Sequence, residues 1–382
     1  MKRNNCLVCG AALFQNPLLE CRSMPKSAQH FPDGDHLDED QPIDLCLKQC
    51  TGCGLVQLDV DAVDYFRDVI RSGGYSTTMH QLRHEQYERF MQMCPVKGKK
   101  IIEIGCGRGE FLRIWREDAF DADVYGIEND PELVEIALQD GLKVDRCFAE
   151  NENTVLKNGP FDGFCSFNFL EHQPDPNGML RCIRNNLNDE AYGLITVPTW
   201  EYIAAQESYY ELIRDHIAYY SKDSLCFLLE KNGFSVLSIR EINRDTWEAI
   251  VRKRPTENTD RIKENMEKLK NQLHSMADEM LKDNRKLAIW GASHQGLTIL
   301  ASTGIAEKVS CVIDSAPFKQ GLYTIGSHIR IVSPDQAFAD PPGAILIIAP
   351  GYTEEIRDII CKRTGGKVLV YALRSNQLEK IT

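Results

Sequence analysis

The stretch IIEIGCGRGEFL, residues 101–112, places three glycines within five positions directly after an apolar run. The run predicts a buried strand that carries one acidic residue, Glu103, and the segment after the glycines predicts the start of a helix. Gly105, Gly107 and Gly109 therefore mark a tight turn between a strand and a helix. Such a turn allows a ligand to lie against bare backbone, but it also occurs with no ligand, and NAD sites use a similar glycine pattern.

A second predicted strand follows the turn in DVYGIEND, residues 123–130, and ends in Glu128. This acid lies about twenty residues after the turn, the distance at which an acidic side chain accepts hydrogen bonds from the ribose hydroxyls of a bound nucleoside. Ligands of open α/β sheets bind beyond the carboxyl ends of the strands. The turn and the acid together predict a nucleoside-containing cofactor at that edge of the sheet.

Strand-like apolar runs alternate with helical patterns in two parts of the chain, about 76–254 and 285–382. This alternation predicts an α/β fold with two separate, doubly wound, Rossmann-like sheets. Between them, apolar residues recur at steps of four and three from Ile262 to Met280, which predicts an amphipathic helix. We favour a connecting helix over a short coiled coil. The predicted domains are a small cysteine-bearing lobe at 1–75, a first sheet domain at 76–255, the connecting helix at 256–284 and a second sheet domain at 285–382.

The composition narrows the class of protein and its partners. The 382 residues carry a formal net charge of -12 and contain no long block of lysine and arginine, so nucleic acid is a poor candidate for the main partner. The N-terminus has no apolar signal core, and the longest apolar runs are too short to span a bilayer. We therefore expect a cytoplasmic protein without a membrane segment, whose 14 cysteines are reduced thiols or metal ligands.

Two CxxCG motifs near the N-terminus predict a metal site. Cys6 and Cys9 lie in CLVCG, and Cys50 and Cys53 lie in CTGCG. Two such pairs can converge on a single ion, and four thiolates in a tetrahedral arrangement suit Zn²⁺ best. Four protein ligands leave no open position for water, so the predicted zinc is structural. The alternatives are unpaired reduced cysteines or a redox-active pair.

Two histidines, each directly after an acidic residue, are expected near the mouth of the cofactor site. Glu171 and His172 come just after the predicted strand FCSFN, and Asp215 and His216 lie in IRDHIAYYS. An isolated histidine is more often a surface or core residue, but an imidazole also takes a proton from a carbon acid or a hydroxyl near neutral pH. Both histidines are therefore candidate catalytic residues.

The glycine-rich stretch resembles the first motif of class I S-adenosylmethionine-dependent methyltransferases, hydrophobic-(D/E)-hydrophobic-G-x-G-x-G, which IIEIGCGRG matches residue for residue. The resemblance implies S-adenosylmethionine as the cofactor, with Glu103 near its methionine end and Glu128 on its ribose. The other implied cofactor-binding positions are Gly105, Cys106, Gly107 and Gly109 along its backbone edge, Phe148 and Ala149 beside the adenine, and Asn168 closing the site.

The chain also resembles, over nearly its whole length, a family of bacterial sugar C-methyltransferases. The likeness is carried by CTGCGLVQL at 50–58, the methyltransferase motif and WGASHQGLTIL at 290–300. It implies a zinc lobe, a methyltransferase domain and a C-terminal Rossmann-like domain that together act on a small-molecule substrate, a nucleotide-linked keto-deoxysugar. The implied reaction removes a proton beside the ketone, after which the enolate carbon accepts the methyl group.

That resemblance also implies roles for the candidate catalytic residues. His172 and His216 match two active-site histidines of the family, with His216 as the base and His172 orienting the substrate or sharing charge. The acids before them, Glu171 and Asp215, and Tyr75, which falls near a family tyrosine, complete the candidate catalytic set.

One departure from the family concerns the second histidine. The family has Tyr-x-Glu-His where this chain has Ile213, Arg214, Asp215 and His216. The lost tyrosine hydroxyl can hydrogen-bond an enolate oxygen, and the loss of such a donor costs on the order of 3 kcal/mol of transition-state stabilisation, unless Arg214 or Tyr210 replaces it. The missing tyrosine favours one alternative, an O- or N-methyltransferase of another sugar or small metabolite. A second alternative is a non-catalytic, zinc-stabilised protein that binds nucleotide ligands, against which the intact motif with Glu103 and Glu128 argues.

The second sheet domain opens with another glycine turn, WGASHQG, between a predicted strand and a helix. Free amides at a helix N-terminus bind anions, so the diphosphate of a nucleotide sugar is a candidate ligand, and a structural turn with no ligand is an equal alternative. The candidate substrate-binding residues are His294 in this turn and Lys319 and His328 in polar loops that follow strands.

Overall fold

The computed structural model describes residues 3–29, 31–68 and 76–382. The chain divides into two compact units, one that ends at Pro255 and one that runs from Thr256 to Thr382. No helix in these described ranges is both long enough and apolar enough to cross a lipid bilayer.

The first unit contains two sheets. Its strands are β1 (Leu19–Met24), β2 (Ile43–Gln49), β3 (Val56–Leu58), β4 (Lys100–Ile104), β5 (Asp123–Glu128), β6 (Val144–Arg146), β7 (Phe161–Phe167), β8 (Leu187–Pro198), β9 (Ala218–Tyr219), β10 (Phe234–Ile242) and β11 (Thr246–Lys253). The α-helices described in it are α1 (Thr77–Met93), α2 (Glu110–Glu117), α3 (Pro131–Gln139), α4 (Pro176–Asn185), α5 (Trp200–Ala205) and α6 (Lys222–Lys231).

The larger sheet has the strand order β10-β11-β8-β7-β4-β5-β6, with β11 antiparallel to both of its neighbours and the other pairs parallel. Successive side chains of β4 point to opposite faces. Ile101 packs with Tyr87 and Trp115 on one face, and Ile102 packs with Phe164 on the other. Both faces of β4 are therefore covered, as the apolar run predicts, and the carboxyl ends of β4, β5 and β7 lie at one edge of the sheet.

The smaller sheet is antiparallel and has the order β1-β2-β3-β9. Three of its strands come from the first 75 residues, whereas β9 comes from the segment directly after His216. Leu7 and Leu55 of the N-terminal region share one hydrophobic core with Ile102 and Phe164 of the larger sheet. The cysteine-bearing lobe and the larger sheet therefore belong to the same compact unit.

The second unit has one sheet of order β14-β13-β12-β15-β16-β17, in which only the β16–β17 pair is antiparallel. Its strands are β12 (Leu287–Trp290), β13 (Val309–Ile313), β14 (Ile331–Val332), β15 (Ala344–Ile347), β16 (Leu369–Arg374) and β17 (Gln377–Lys380), and its described α-helices are α7 (Asp260–Lys282), α8 (His294–Thr303), α9 (Pro334–Ala339) and α10 (Thr353–Thr364). The prediction of an α/β fold with two Rossmann-like sheets is confirmed.

Helix α7 covers the amphipathic segment between the two predicted sheet domains. Its C-terminal part packs into the core of the second unit through Leu269, Leu273, Met276 and Met280. Ile262 and Met266, at the start of the same apolar seam, are exposed. The helix therefore belongs by its packing to the second unit, and its first two turns contribute little to that core.

Candidate functional site

A cavity of about 390 Å³ opens at the carboxyl edge of the larger sheet. Its volume lies within the range of small-molecule sites. It is lined by four of the predicted cofactor positions and four of the predicted catalytic residues: Gly105, Gly107, Glu128, Asn168, Glu171, His172, Asp215 and His216. The fold thus brings together two sets of residues that the sequence predicts separately.

The glycine turn has the geometry that its sequence predicts. Gly109 has a φ of 81°, and a Cβ added there would lie 2.2 Å from Leu142 Cδ1, so any other residue at this position is both strained and crowded. The Gly107 amide donates a hydrogen bond to Glu128 Oε2 at 2.9 Å, and the Asn129 amide donates to Glu128 Oε1 at 2.7 Å. Glu128, buried at the end of β5, is therefore held at the turn by backbone amides.

The remaining cofactor candidates lie around this turn but do not all face the cavity. Cys106 is fully buried and its side chain packs with Leu112 and Val134, so only its backbone can belong to the turn surface. Glu103 is buried near the end of β4. It lies near Tyr87, whose pKa is raised well above its usual value mainly because Tyr87 is buried and secondly because of the Glu103 carboxylate.

Phe148 and Ala149 line a small hollow beside the main cavity, and the two spaces share Gly105, Glu128, Phe169 and Arg67. Asn168 follows β7 and accepts a hydrogen bond from Thr196 Oγ1 at 2.8 Å through its Oδ1. Phe148 and Ala149, which are predicted to flank the adenine, therefore lie next to the glycine turn and to Glu128, the predicted ribose-binding residue.

The two histidines form a pair with ring centroids 4.7 Å apart and ring planes at 73°. His172 Nδ1 lies 3.0 Å from the backbone carbonyl of Asp215, so this nitrogen carries the proton and Nε2 is the free acceptor. Burial lowers the pKa of His172 to about 4. The pKa of His216 is held well below its ordinary value, mainly by burial and secondly by the neighbouring His172 ring. Both imidazoles are therefore neutral at physiological pH and able to accept a proton.

Glu171 is the most unusual group in the cavity. It is 1% exposed, and neither of its carboxyl oxygens has a hydrogen-bond partner among the described residues. Its Oε1 lies 3.8 Å from His172 Nε2, and burial raises the pKa of Glu171 to about 8. The side chain is therefore mainly a neutral carboxylic acid at physiological pH, with a proton available to donate.

Asp215 connects the histidine pair to the N-terminal region. Its buried carboxylate accepts hydrogen bonds from the Tyr65 hydroxyl at 2.8 Å and the Ala28 amide at 3.1 Å, and Ser27 Oγ lies 2.7 Å from the Tyr65 hydroxyl. Ala28 also lines the cavity. Sequence reasoning missed these residues, because no local pattern indicates that a segment almost two hundred positions earlier meets Asp215.

The structure replaces the family tyrosine with an apolar wall. Ile213 lines the cavity next to Asp215, whereas Tyr210 is 69% exposed and is not among the described lining residues. Arg214, the second residue of that departure, is half-buried and also absent from the described lining. Tyr75 lies outside the described residues. Among the described residues at this departure, Ile213 therefore brings an apolar side chain to the cavity, and neither Tyr210 nor Arg214 lines it.

A buried cation in the same cavity was also missed. Arg83 on α1 is 3% exposed, lines the cavity, and places its guanidinium 3.4 Å from the centroid of the Phe167 ring and 4.2 Å from that of Phe111. A single arginine in a helix of mixed charge gives no sequence signal for such a position.

The four cysteines of the CxxCG motifs converge. Their Sγ atoms all lie within 4.8 Å of one another, with 3.5 Å between Cys6 and Cys53 and 3.3 Å between Cys9 and Cys50. Four sulfurs bound at about 2.3 Å to one tetrahedral ion are roughly 3.8 Å apart, so the cluster fits Zn²⁺ with small adjustments.

The substrate-binding candidates of the second unit differ in their exposure and in their hydrogen bonds. His294, the first residue of α8, and His328 are exposed. Lys319 Nζ instead donates to the Ala292 carbonyl at 2.9 Å and lies 3.0 Å from Asp314 Oδ2. Its ammonium is therefore already engaged at the second glycine turn.

Two family models match this chain. Residues 78–239 match the model of a methyltransferase domain, and residues 247–372 match the model of a C-methyltransferase C-terminal domain. A solved protein of Pyrococcus horikoshii OT3, PH0226, aligns with 51% of this chain and 99% of its own at 13% identity and a TM-score of 0.40. An ubiquinone biosynthesis O-methyltransferase of Chromobacterium violaceum is 27% identical over 108 residues, which are 27% of this chain and 46% of that protein.

The fold, the glycine turn with its acid, and the two family-model matches define a class I S-adenosylmethionine-dependent methyltransferase, and this chain is such an enzyme. Over most of its length it resembles C-methyltransferases in particular. The C-methyltransferase NovU of Streptomyces niveus is 22% identical to it over 394 residues, which cover 93% of this chain and 91% of the relative.

Proposed function

We propose that this enzyme transfers the methyl group of S-adenosylmethionine to a carbon beside the ketone of a nucleotide-linked keto-deoxysugar. The observation that carries the proposal is the single cavity that joins the glycine turn and Glu128 to the neutral pair His172 and His216. An unprotonated imidazole can accept a proton from a carbon acid. The likeness to C-methyltransferase NovU supports the same reaction type.

The cofactor supplies an electrophilic methyl group on a sulfonium. Glu128 holds the ribose, Phe148 and Ala149 flank the adenine, and Asn168 closes the site between cofactor and substrate. Glu103 stays near the methionine end, and the buried guanidinium of Arg83 is our candidate for its carboxylate. The backbone of residues 105–109 lies along the edge of the cofactor.

On the substrate side, His216 removes the proton beside the ketone. His172, whose Nδ1–H is held by the Asp215 carbonyl, lines the cavity and orients the substrate. Asp215 fixes the segment that carries His216, and Tyr75 stays a proposed catalytic residue on the resemblance alone. In the second unit, His294, Lys319 and His328 stay proposed substrate-binding residues, and His294 lies at the N-terminus of α8, a position that suits an anion such as a diphosphate.

We also propose that Cys6, Cys9, Cys50 and Cys53 hold one structural Zn²⁺. Four convergent sulfurs support this ion, and a closed set of four protein ligands leaves it no catalytic position. The zinc would stabilise the N-terminal region, whose strands form one sheet with β9.

The test is exchange of the substrate C–H hydrogen for deuterium in the absence of methyl donor, with thymidine diphosphate-4-keto-6-deoxyglucose as the first probe and uridine-linked keto sugars as the second. Wild-type protein is expected to catalyse exchange beside the ketone, and His216→Ala is expected to abolish it. His36→Ala, which replaces an exposed histidine distant from His216 in the sequence, is the matched control. Exchange at the wild-type rate in His216→Ala contradicts the assignment of the base.

One observation favours a second candidate, methylation of an oxygen or nitrogen atom in a related substrate. Ile213 lines the cavity where the resembling family has a tyrosine, so the donor for an enolate oxygen is missing at that position. An O- or N-methyltransferase would produce methylated product without any C–H exchange, so the same experiment separates the two candidates.

A further inference from the structure

Glu171 is a buried acid for which the proposed reaction has no stated use. Its carboxyl lines the cavity and is 1% exposed, and both oxygens lack a hydrogen-bond partner among the described residues. Burial of an unpaired polar group is costly unless a ligand completes its hydrogen bonds. The side chain is therefore arranged for a partner that enters the cavity.

The carboxyl group of Glu171 lies close to the proposed base, His216. One carboxyl oxygen of Glu171, one ring nitrogen of His172 and one ring nitrogen of His216 lie within 4.8 Å of one another. A ketone and its neighbouring C–H bond are close enough to engage two groups at that separation together. The wall formed by Ile213 offers no hydroxyl to the same ketone.

We propose that Glu171 is a catalytic residue that donates its carboxyl proton in a hydrogen bond to the ketone oxygen, in the role that the tyrosine replaced by Ile213 would otherwise have. This inference rests on the proposed C-methylation. The C–H proton passes to His216, and the electron pair moves onto the ketone oxygen, where the Glu171 O–H stabilises it. When the new C–C bond forms, the S–CH₃ bond breaks with its electron pair on sulfur, the ketone is restored, and the proton of Glu171 has remained on its carboxyl throughout.

The groups that face Glu171 are compatible with a neutral acid. They are His172 and His216 in the cavity and Tyr220, whose raised pKa is due first to burial and then to the nearby Glu171. Burial raises the pKa of Glu171 to about 8, while His216 is neutral far below that value. A loss of rate at alkaline pH would therefore report the ionisation of Glu171 and not that of the base.

The experiment measures deuterium exchange of the keto-sugar probe from about pH 6 to pH 10 in wild type, Glu171→Gln, Glu171→Leu and Glu171→Leu combined with Ile213→Tyr. Glutamine keeps the shape and a donor N–H but cannot ionise, so the rate of this variant should change little between pH 7 and pH 10, whereas the wild-type rate should fall above about pH 8. Leucine removes the donor and should reduce exchange by about 10²–10³-fold, the usual effect of losing one oxyanion donor. The added tyrosine should restore part of that loss.

Each outcome has a defined meaning. Binding of S-adenosylhomocysteine, measured by calorimetry, verifies that the variants fold, and if Glu171→Leu fails to fold, the alkaline profile of Glu171→Gln alone decides. Undiminished exchange in Glu171→Leu, or an unchanged alkaline loss in Glu171→Gln, overturns the inference but leaves the proposed function standing. Absence of exchange in wild type overturns the proposed function and the inference with it. A metal content that falls by one ion per chain in Glu171→Gln also overturns the inference, because the acid and the two histidines would then be holding a cation.

Discussion

Replacing Glu171 with glutamine is expected to stabilise the protein, and to do so most strongly at alkaline pH. Burial raises the pKa of the Glu171 carboxyl to about 8 in the folded protein, against an ordinary value of 4.5 in the unfolded chain. Between these two values the unfolded chain has lost a proton that the folded protein retains. The free energy of unfolding therefore falls as the pH rises from about 4.5 to about 8 and then levels off.

The size of this loss follows from the two pKa values. Each pH unit of separation corresponds to about 1.36 kcal/mol, so the interval from 4.5 to about 8 corresponds to a loss of roughly 5 kcal/mol. Glutamine has nearly the same shape and cannot ionise, so the variant lacks this loss. We expect the two proteins to be similar near pH 4.5 and the variant to be more stable by several kcal/mol near pH 9.

Urea unfolding at a series of pH values, followed by tryptophan fluorescence, measures this difference, because Trp115 and Trp247 are buried in the first unit. Glu88→Gln is the matched control, since Glu88 is exposed on α1 and its replacement removes the same charge. The difference between this control and wild type should not grow with pH in the same window. Parallel stability curves for wild type and Glu171→Gln would refute the conclusion that Glu171 is a neutral acid in the folded protein.

Three further predictions concern the elements around the cavity. Tyr65→Phe removes a hydrogen bond to the Asp215 carboxylate worth about 2 kcal/mol, so kcat/KM should fall roughly thirtyfold while calorimetric binding of S-adenosylhomocysteine is unchanged. Gly109→Ala forces a Cβ against Leu142 at a positive φ and should lower the free energy of unfolding by about 2–4 kcal/mol and weaken cofactor binding. Cys53→Ser should reduce the zinc content from about one ion per chain to well below that, as metal analysis would show, and should lower the stability of the first unit.

Each of these variants has a matched control elsewhere in the chain. Tyr209→Phe alters an exposed tyrosine, Gly34→Ala adds a Cβ that meets nothing within 4 Å, and Cys226→Ser changes a cysteine outside the cluster. A wild-type kcat/KM in Tyr65→Phe means that the carboxylate needs no support from the N-terminal region. Unchanged stability in Gly109→Ala would show that the turn tolerates a side chain, and a full zinc content in Cys53→Ser would exclude this cysteine as a ligand.

The features that local sequence patterns predict well are those that depend on neighbouring residues. A buried strand followed by a glycine turn and a helix is written in consecutive positions, and the φ of 81° at Gly109 follows from that pattern. Glu128 is similarly predictable, because the βαβ unit sets its distance from the turn. The paired CxxCG motifs predict the convergence of four sulfurs, because each motif is a local knuckle.

The features that local patterns did not predict depend on contacts between distant segments. The hydrogen bonds of Tyr65 and Ala28 to Asp215 require the N-terminal region to fold against the middle of the chain. The engagement of Lys319 by the second glycine turn depends on a loop returning to Ala292. The identity of a single apolar or charged residue does not determine which distant group it contacts. These contacts can therefore be assigned only once the topology is known.

The same topology explains how His216 is positioned. On one side of it the Asp215 carboxylate is bound by Tyr65 and Ala28, and on the other side the Ile217 carbonyl accepts a hydrogen bond from the Leu58 amide at 3.0 Å. The Ile217 amide also donates to the Glu171 carbonyl at 2.9 Å, which ties the two acid–histidine segments together. Backbone bonds on both sides leave only the side-chain torsions of His216 free, so most of the entropy cost of orienting the base is met during folding. We therefore expect the N-terminal region, with its cysteine cluster, to contribute to methyl transfer by fixing the chain on either side of the proposed base.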